Sequence, residues 1–455
     1  MDYPLWNLAL GGGVMIGIVA IAHVLVSHFA IGGGIVIAFA ETLAVRQNRK
    51  PLRQLARRSS HMLILISTVF GAISGVGIWV TIGLVQPAAT SALIHAYVWG
   101  WAAEWAFFLL EIITALLYFA TWDKVRPTTH LLIIWLYAFS AFMSLVIIQG
   151  ILAFMLTPGD WLQTHRFWDG FFNPTYLPGL VLRTGICILL GAAAMTFAAL
   201  RERDRAARSS LVRLLAVFQI GGGLLAYGGY RWWEAALPGS VRALFLGATP
   251  IISGLGSTRH ILLWALAATL LIVVLALAIP AARRWPVAVV ALLAAATFFG
   301  GYERLREGAR KPFVIRDYMF SNGILVSEVA DLNQRGVLSK AKWAAREAGA
   351  TPESRGRAVF RAQCASCHTL DGYLAIRPIV GGLDADVLGS ILATLQAEGE
   401  EYVGGAHSQR GHFATESLDY PQMPPLVGTA DEIAALQAYL LALKVSHPQE
   451  VTHVR

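Results

Sequence analysis

One pentapeptide, Cys364-Ala365-Ser366-Cys367-His368, sets the first chemical question. It places two thiols on a single helical turn, with a histidine directly after them. At this spacing the thiols can bond the two vinyl groups of a haem, and the histidine then reaches the iron from one side. A zinc or redox CxxC pair is the competing use, but zinc would need two further Cys or His ligands at comparable spacing. The remaining cysteine, Cys187, lies in an apolar run as an inert core residue, and three cysteines make no disulfide framework.

A second set of reactive side chains sits in strongly apolar sequence. His23 and His28 fall in the first apolar run, and Glu104 and Glu111 in the third. Seven residues apart, the two glutamates share one face of a helix. Ionisable groups are costly in lipid and therefore mark functional positions. Histidines facing a bundle interior suit b-type haem, and buried carboxylates suit a proton relay. The structural alternative for each is hydrogen bonding within the bundle. His61 is read as structural, and His260 either as a haem ligand with an unidentified partner or as a helix cap.

Composition says what holds these residues. Of 455 residues, 56% are hydrophobic and only 14% charged, with a mean hydropathy of +0.58. A soluble chain carries about a quarter charged residues, so soluble, low-complexity and disordered classes are excluded. Reading for apolar runs of about 20 residues finds eight spans, at roughly 10–40, 61–85, 97–121, 130–156, 179–200, 211–230, 260–280 and 285–302. The first has no basic stretch before it and no small-residue cleavage site after it, so it reads as a span and not a removable signal.

Charge then orients the bundle. Six Lys and Arg lie between Arg46 and Arg58, two at Lys124 and Arg126, five between Arg201 and Arg213, and two at Arg283 and Arg284. The alternate loops carry only Arg166, Arg231, Arg242 and Arg259. The positive-inside rule puts the richer set in the cytoplasm and both termini outside. The net charge of +8 is thus largely topology, and the partner it implies is a lipid bilayer, not nucleic acid. Two outer loops, 158–178 and 231–259, carry tryptophans suited to the membrane interface or to a lid over a redox centre.

After Tyr302 the sequence turns mixed and basic. The expected organisation is a transmembrane haem bundle over 1–302, an extracytoplasmic connector over 303–350 and a small soluble domain over 351–455. The fold class is all-α throughout.

The soluble part resembles a class I cytochrome c. Gly356-Arg357-Ala358-Val359-Phe360 is similar to the first helix of that family, and Asp431 to Leu443 to its closing helix. Tyr420-Pro421-Gln422-Met423-Pro424-Pro425 resembles the distal loop, which makes Met423 the sixth iron ligand, with His407 and His412 as fallbacks. A Met/His pair raises the potential. Attachment of this haem takes place outside the cytoplasmic membrane, in agreement with the charge count.

The membrane part resembles subunit I of cytochrome bd-type oxidases. The matching stretches are Ala22-His23-Val24-Leu25, Ala40-Glu41-Thr42, Phe107-Phe108-Leu109-Leu110-Glu111 and Trp122-Asp123-Lys124. They continue with His130-Leu131, Trp135, Asn173-Pro174 and Arg310-Lys311-Pro312. The resemblance implies that His23 binds a high-spin haem and that Glu111 and Glu104 line a proton and oxygen site. It also implies haem b or haem d, a second membrane subunit, and residence in a bacterial inner membrane.

The departures are informative. Where the family has a low-spin haem histidine in span 5, this chain reads Leu180-Val181-Leu182-Arg183-Thr184. Arg259-His260 stands where the partner methionine belongs, and the external quinol loop is short. The haem-ligating glutamate of the last span has no counterpart in strict register, which leaves Glu303, a turn away, to serve. A chain without these features and with a fused cytochrome c is expected to take electrons from outside, through a soluble cytochrome c or another periplasmic redox partner. The expectation is a cytochrome c-linked terminal oxygen reductase. The alternatives are an electron-transfer subunit that joins a partner enzyme to a soluble carrier or quinone, and a plain membrane anchor.

Overall fold

The computed structural model describes residues 4–239, 241–242, 253–279, 284–404 and 422–445. His407, His412, Tyr420 and Pro421 lie outside them. Eight helical segments are long and apolar enough to cross a membrane, as the apolar runs predict. They are α1 (Gly12–Gln47), α2 (Lys50–Ile64) continued through a π-helical turn into α3 (Ala72–Val85), α5 (Val98–Ala120), α6 (Pro127–Phe154), α7 (Tyr176–Leu200), α8 (Arg205–Ala236), α9 (Ser253–Ala276) and α10 (Arg284–Arg310). A shorter helix, α4 (Pro87–Ala96), follows α3.

Several boundaries differ from the apolar reading, two of them most. The second span starts at Lys50, because an amphipathic, basic first half buries Leu52, Leu55 and Ala56 against the bundle. The last helix runs on past Tyr302 to Arg310, where Arg306 pairs with Glu303 and Glu307 and the apolar side, Leu305 and Ala309, stays buried.

The chain divides into two compact units. One comprises residues 20–77 and 94–309. Here α7 is the central helix, with Leu182, Ile186, Leu189 and Leu190 all buried. Small residues permit its close packing: a Cβ at Gly32 would meet the Cys187 carbonyl, and one at Gly191 the backbone of Gly32 and Gly33. Such small-residue contacts are how helices associate in lipid, where apolar burial gives little drive. Large apolar side chains such as Ile73, Val76, Leu132, Leu224 and Leu271 remain exposed, as lipid-facing surfaces require. The loop after α6 is ordered by Asn173, which is buried and donates through Nδ2 to the carbonyl of Gly170 at 2.9 Å. It buries Trp161 and Phe171 and leaves Trp168 and Phe172 exposed and stacked at 5.5 Å.

The other unit comprises residues 1–19, 78–93 and 310–455. Its main helices are α11 (Pro352–Gln363), α12 (Ala385–Gly404) and α13 (Ala430–Val445). Thr351 caps α11 by accepting from the Ser354 amide at 3.2 Å. α11 packs on α13 where Gly356 has no side chain, and a Cβ there would strike the Ala435 carbonyl. A short hairpin, β1 (Phe313–Ile315) with β2 (Met319–Phe320), and the helical turns up to Ala345 share one apolar core with these helices. Glu432, 2% exposed, fastens them by accepting from the amides of Val337 at 2.7 Å and Leu338 at 3.1 Å.

Candidate haem sites

In the smaller unit the CxxCH motif continues the end of α11. The amide of Cys364 donates to Phe360 at 2.8 Å, and that of His368 to Cys364 at 2.8 Å. This turn holds both free thiols and the imidazole on one short stretch. His368 Nδ1 donates to the Leu374 carbonyl at 2.8 Å, which leaves Nε2 with its lone pair for a metal. Packing around Cys364 pushes its thiol up to about 12, with the neighbouring Cys367 adding to the effect. Met423 is half-buried in the irregular segment before the buried Pro425. Two adjacent thiols and an imidazole committed at Nδ1 are the donor set a covalent haem needs.

The loop beyond the motif is tied to the start of the chain. Tyr373 donates its amide to the Leu10 carbonyl at 3.4 Å, and Leu5 packs against the apolar core. Gly11 sits at φ +95°, a left-handed conformation in which its missing side chain makes room for Thr369.

In the larger unit the two histidines of α1 have different surroundings. His23 Nδ1 lies 3.1 Å from Ser74 Oγ, just beyond the π-helical turn Leu65–Gly71. Ser74 spends its own proton on the Phe70 carbonyl at 2.5 Å, so His23 Nδ1 is the donor. Ser27 Oγ reaches both His23 Nε2 at 3.2 Å and the His23 carbonyl at 2.9 Å. Its proton can stay on the carbonyl, and Nε2 is then free to bind a metal with no polar group left unpaired. Gly75 completes the cradle, since a Cβ there would stand 3.2 Å from the His23 ring. These features fit a haem ligand.

His28 is different. Its Nδ1 donates to the Val24 carbonyl at 2.8 Å, and its Nε2 faces Arg183 Nη1 at 3.1 Å. Both nitrogens are used, and His28 has no lone pair for iron.

The paired carboxylates line up on one neighbour. Glu104 accepts from Ser144 at 3.0 Å and Glu111 from Tyr137 at 3.1 Å. Both partners lie on α6, seven residues apart, so the shared face of α5 meets a matching face of α6. Glu303 stands between two guanidiniums: Arg183 Nη2 at 2.6 Å from Oε1 and Arg306 Nε at 3.1 Å from Oε2. His260 is exposed, and the adjacent Arg259 pairs with Glu234 at 2.5 Å. His61 is also exposed, its Nδ1 on the Arg57 carbonyl at 2.8 Å.

A buried network was not singled out by residue type. Glu41 accepts from His130 Nδ1 at 2.6 Å and from the Tyr118 hydroxyl at 2.5 Å, while His130 Nε2 lies 3.0 Å from the Tyr118 carbonyl. The available signal was an ionisable residue near the end of one apolar run and another at the start of a second. Near it Asp123 pairs with Arg53 and Arg57, and Arg53 holds its carboxyl below the usual carboxylate range.

Comparisons with known proteins agree with both units. Residues 14–229 match the family model of cytochrome bd terminal oxidase subunit I, and residues 353–444 match that of cytochrome c. The fold is similar to that in the structure of bd oxidase from Geobacillus thermodenitrificans, with a TM-score of 0.55 at 14% identity, covering 68% of this chain and 89% of that one. No curated protein matches the chain. The chain is thus a fusion of a bd-type subunit I region and a cytochrome c domain. It is a multi-pass haem protein of respiratory electron transfer.

Proposed function

We propose that this chain is a terminal oxygen reductase that receives electrons through its own cytochrome c domain. The transmembrane haem bundle extends through the last helix to Arg310, residues 313–345 are built into the core of the cytochrome c domain, and that domain lies on the outer side of a bacterial inner membrane. Cys364 and Cys367 would hold haem c by thioether bonds, and His368 and Met423 would ligate its iron. His23 binds haem b or haem d in the bundle. A soluble cytochrome c or other periplasmic carrier supplies electrons, and a second membrane subunit completes the complex.

The observation that carries this reading is His23 Nε2, which Ser27 can release to a metal by keeping its proton on the His23 carbonyl. A haem held there by His23 would supply the iron for oxygen chemistry. Around it the protein moves and holds protons. Glu104 and Glu111 offer two carboxylates along one face, and the hydroxyls of Ser144 and Tyr137 fix one oxygen of each. The other oxygen can take up and pass a proton.

One observation favours a second reading, an electron-transfer subunit that reduces no oxygen. Both oxygens of Glu303 are engaged by arginines, which leaves fewer iron ligands than the family pattern implies. We assign Glu303 as a counter-ion, and His260, exposed beside the Arg259 pair, as a helix-end residue. Oxygen uptake by the purified chain separates the readings. Reduced through an artificial donor, it should consume oxygen, and His23→Ala should abolish uptake while leaving the covalent haem in place. Uptake unchanged by His23→Ala would refute the assignment.

A further inference from the structure

Two guanidiniums meet at Glu303. Arg183 and Arg306 are 1% and 7% exposed, and Glu303, half-buried, is the carboxylate between them. From α1 the group facing them is His28, whose Nδ1 is fixed as a donor to Val24, so that it accepts from Arg183 and brings no charge. Glu307 pairs with Arg306 from the rim, its side chain 46% exposed. Arg306 thus has two carboxylates beside it, and Arg183 shares Glu303 with it, in a bundle where a buried guanidinium left short of partners is expensive.

Unfilled donors outnumber unfilled acceptors there: Glu303 Oε1 is the acceptor without an aligned hydrogen bond among the described residues. Arg183 Nε and Arg306 Nη1 are buried with no acceptor among the described residues, and the Tyr302 hydroxyl makes no aligned hydrogen bond. Arg183 Nη2 is close to Glu303 but not directed at it. The Arg183 guanidinium lies 5.3 Å from the Tyr302 ring, and both arginines hold the same carboxylate, so these donors belong to one locus. Phe299 against His28 at 4.4 Å and Trp233 against Tyr302 at 5.3 Å enclose it. Buried, unfilled guanidinium and phenol donors converging on one locus define a carboxylate site.

We infer that Arg183 and Arg306, with Tyr302, form a buried anion site that holds a propionate of a haem bound in the bundle. The inference rests on the reading that the bundle binds haem, since a haem brings carboxylates into an apolar interior. It gives Arg183 a role in place of the histidine that the fifth span lacks.

The covalent haem of the same chain serves as an internal standard. The test measures extractable haem per covalent haem in the purified full chain, together with the propionate bending band in resonance Raman. Arg183→Gln and Arg306→Gln should each weaken retention of extractable haem about ten-fold, the worth of one charge-assisted hydrogen bond, and shift the band in the haem that remains. Arg183→Lys should keep the haem and still shift the band. Unchanged haem ratio and band in both glutamine variants would overturn the site, and so would haem loss with an unshifted band, which marks a structural defect. A band that is unshifted while added fumarate raises the melting temperature of wild type but not of Arg183→Gln would assign the site to a free carboxylate and also overturn it. A wild-type chain with no extractable haem would instead refute the haem-binding reading itself.

Discussion

Tyr137 points its hydroxyl at Glu111 across the α5–α6 contact, 3.1 Å from Oε1 and 3.3 Å from the Ala30 carbonyl of α1. One side chain thereby registers three helices around a carboxylate. Seven residues along α6, Ser144 donates to Glu104 at 3.0 Å. A relay through these carboxylates requires each to be held in place and yet able to release a proton. Glu111→Gln keeps the shape and removes that ability, and oxygen uptake should fall about a hundred-fold. Tyr137→Phe removes only the positioning hydrogen bond and should cost about ten-fold. Equal uptake in Glu111→Gln and wild type would remove Glu111 from the path.

Helix pairing in the cytochrome c domain depends on the absence of a side chain at Gly356. Gly356→Val would drive a branched side chain into the Ala435 carbonyl and the Tyr439 side chain. Overpacking of this kind costs about 1–3 kcal/mol or more. Haem staining after denaturing electrophoresis should show markedly less covalent product than wild type, while Gly349→Ala, whose Cβ meets only the Ser354 side chain, should be tolerated.

Glu41 anchors the buried network at its end of the bundle. Its removal leaves His130 and the Tyr118 hydroxyl without their acceptor inside the protein. Glu41→Ala should destabilise the bundle by about 3 kcal/mol, and Glu41→Gln by less because it retains one acceptor. Thermal unfolding in detergent, followed by tryptophan fluorescence, should place Glu41→Ala lowest of the three.

The thiol of Cys364 titrates near 12 before haem is attached, so at pH 8 it is almost wholly protonated and a weak nucleophile. Alkylation of haem-free protein should therefore be slow at Cys364, and its rate should rise with pH through about 12. Peptide mapping by mass spectrometry reads this directly. Fast labelling of Cys364 at pH 7 would show that its surroundings are more open.

Features carried by local sequence were legible. The eight spans follow from apolar run length, the CxxCH turn from its spacing, and the common face of Glu104 and Glu111 from helical periodicity. What was not legible depends on which helices meet. His23 and His28 look equivalent in the sequence, and only the Val24 carbonyl and Arg183 show that His28 has no free nitrogen. Arg183 was read for the histidine it replaces, although its burial against Glu303, 120 residues away, says more. Apolar character stops at Tyr302, and only the burial of Leu305 and Ala309 and the pairs of Arg306 show the last helix continuing to Arg310. Residues 313–345 gave no sign of their place in the cytochrome c core, since their apolar residues are spread over short turns.

The most direct test of the account is a reduced-minus-oxidised spectrum of the purified chain, repeated with carbon monoxide and followed by haem extraction. The account predicts one covalent haem and at least one extractable b or d haem whose band shifts with carbon monoxide, and predicts that His23→Ala abolishes the shift. Extractable haem that ignores carbon monoxide, or none at all, would contradict it and leave a chain that conducts electrons to a partner enzyme.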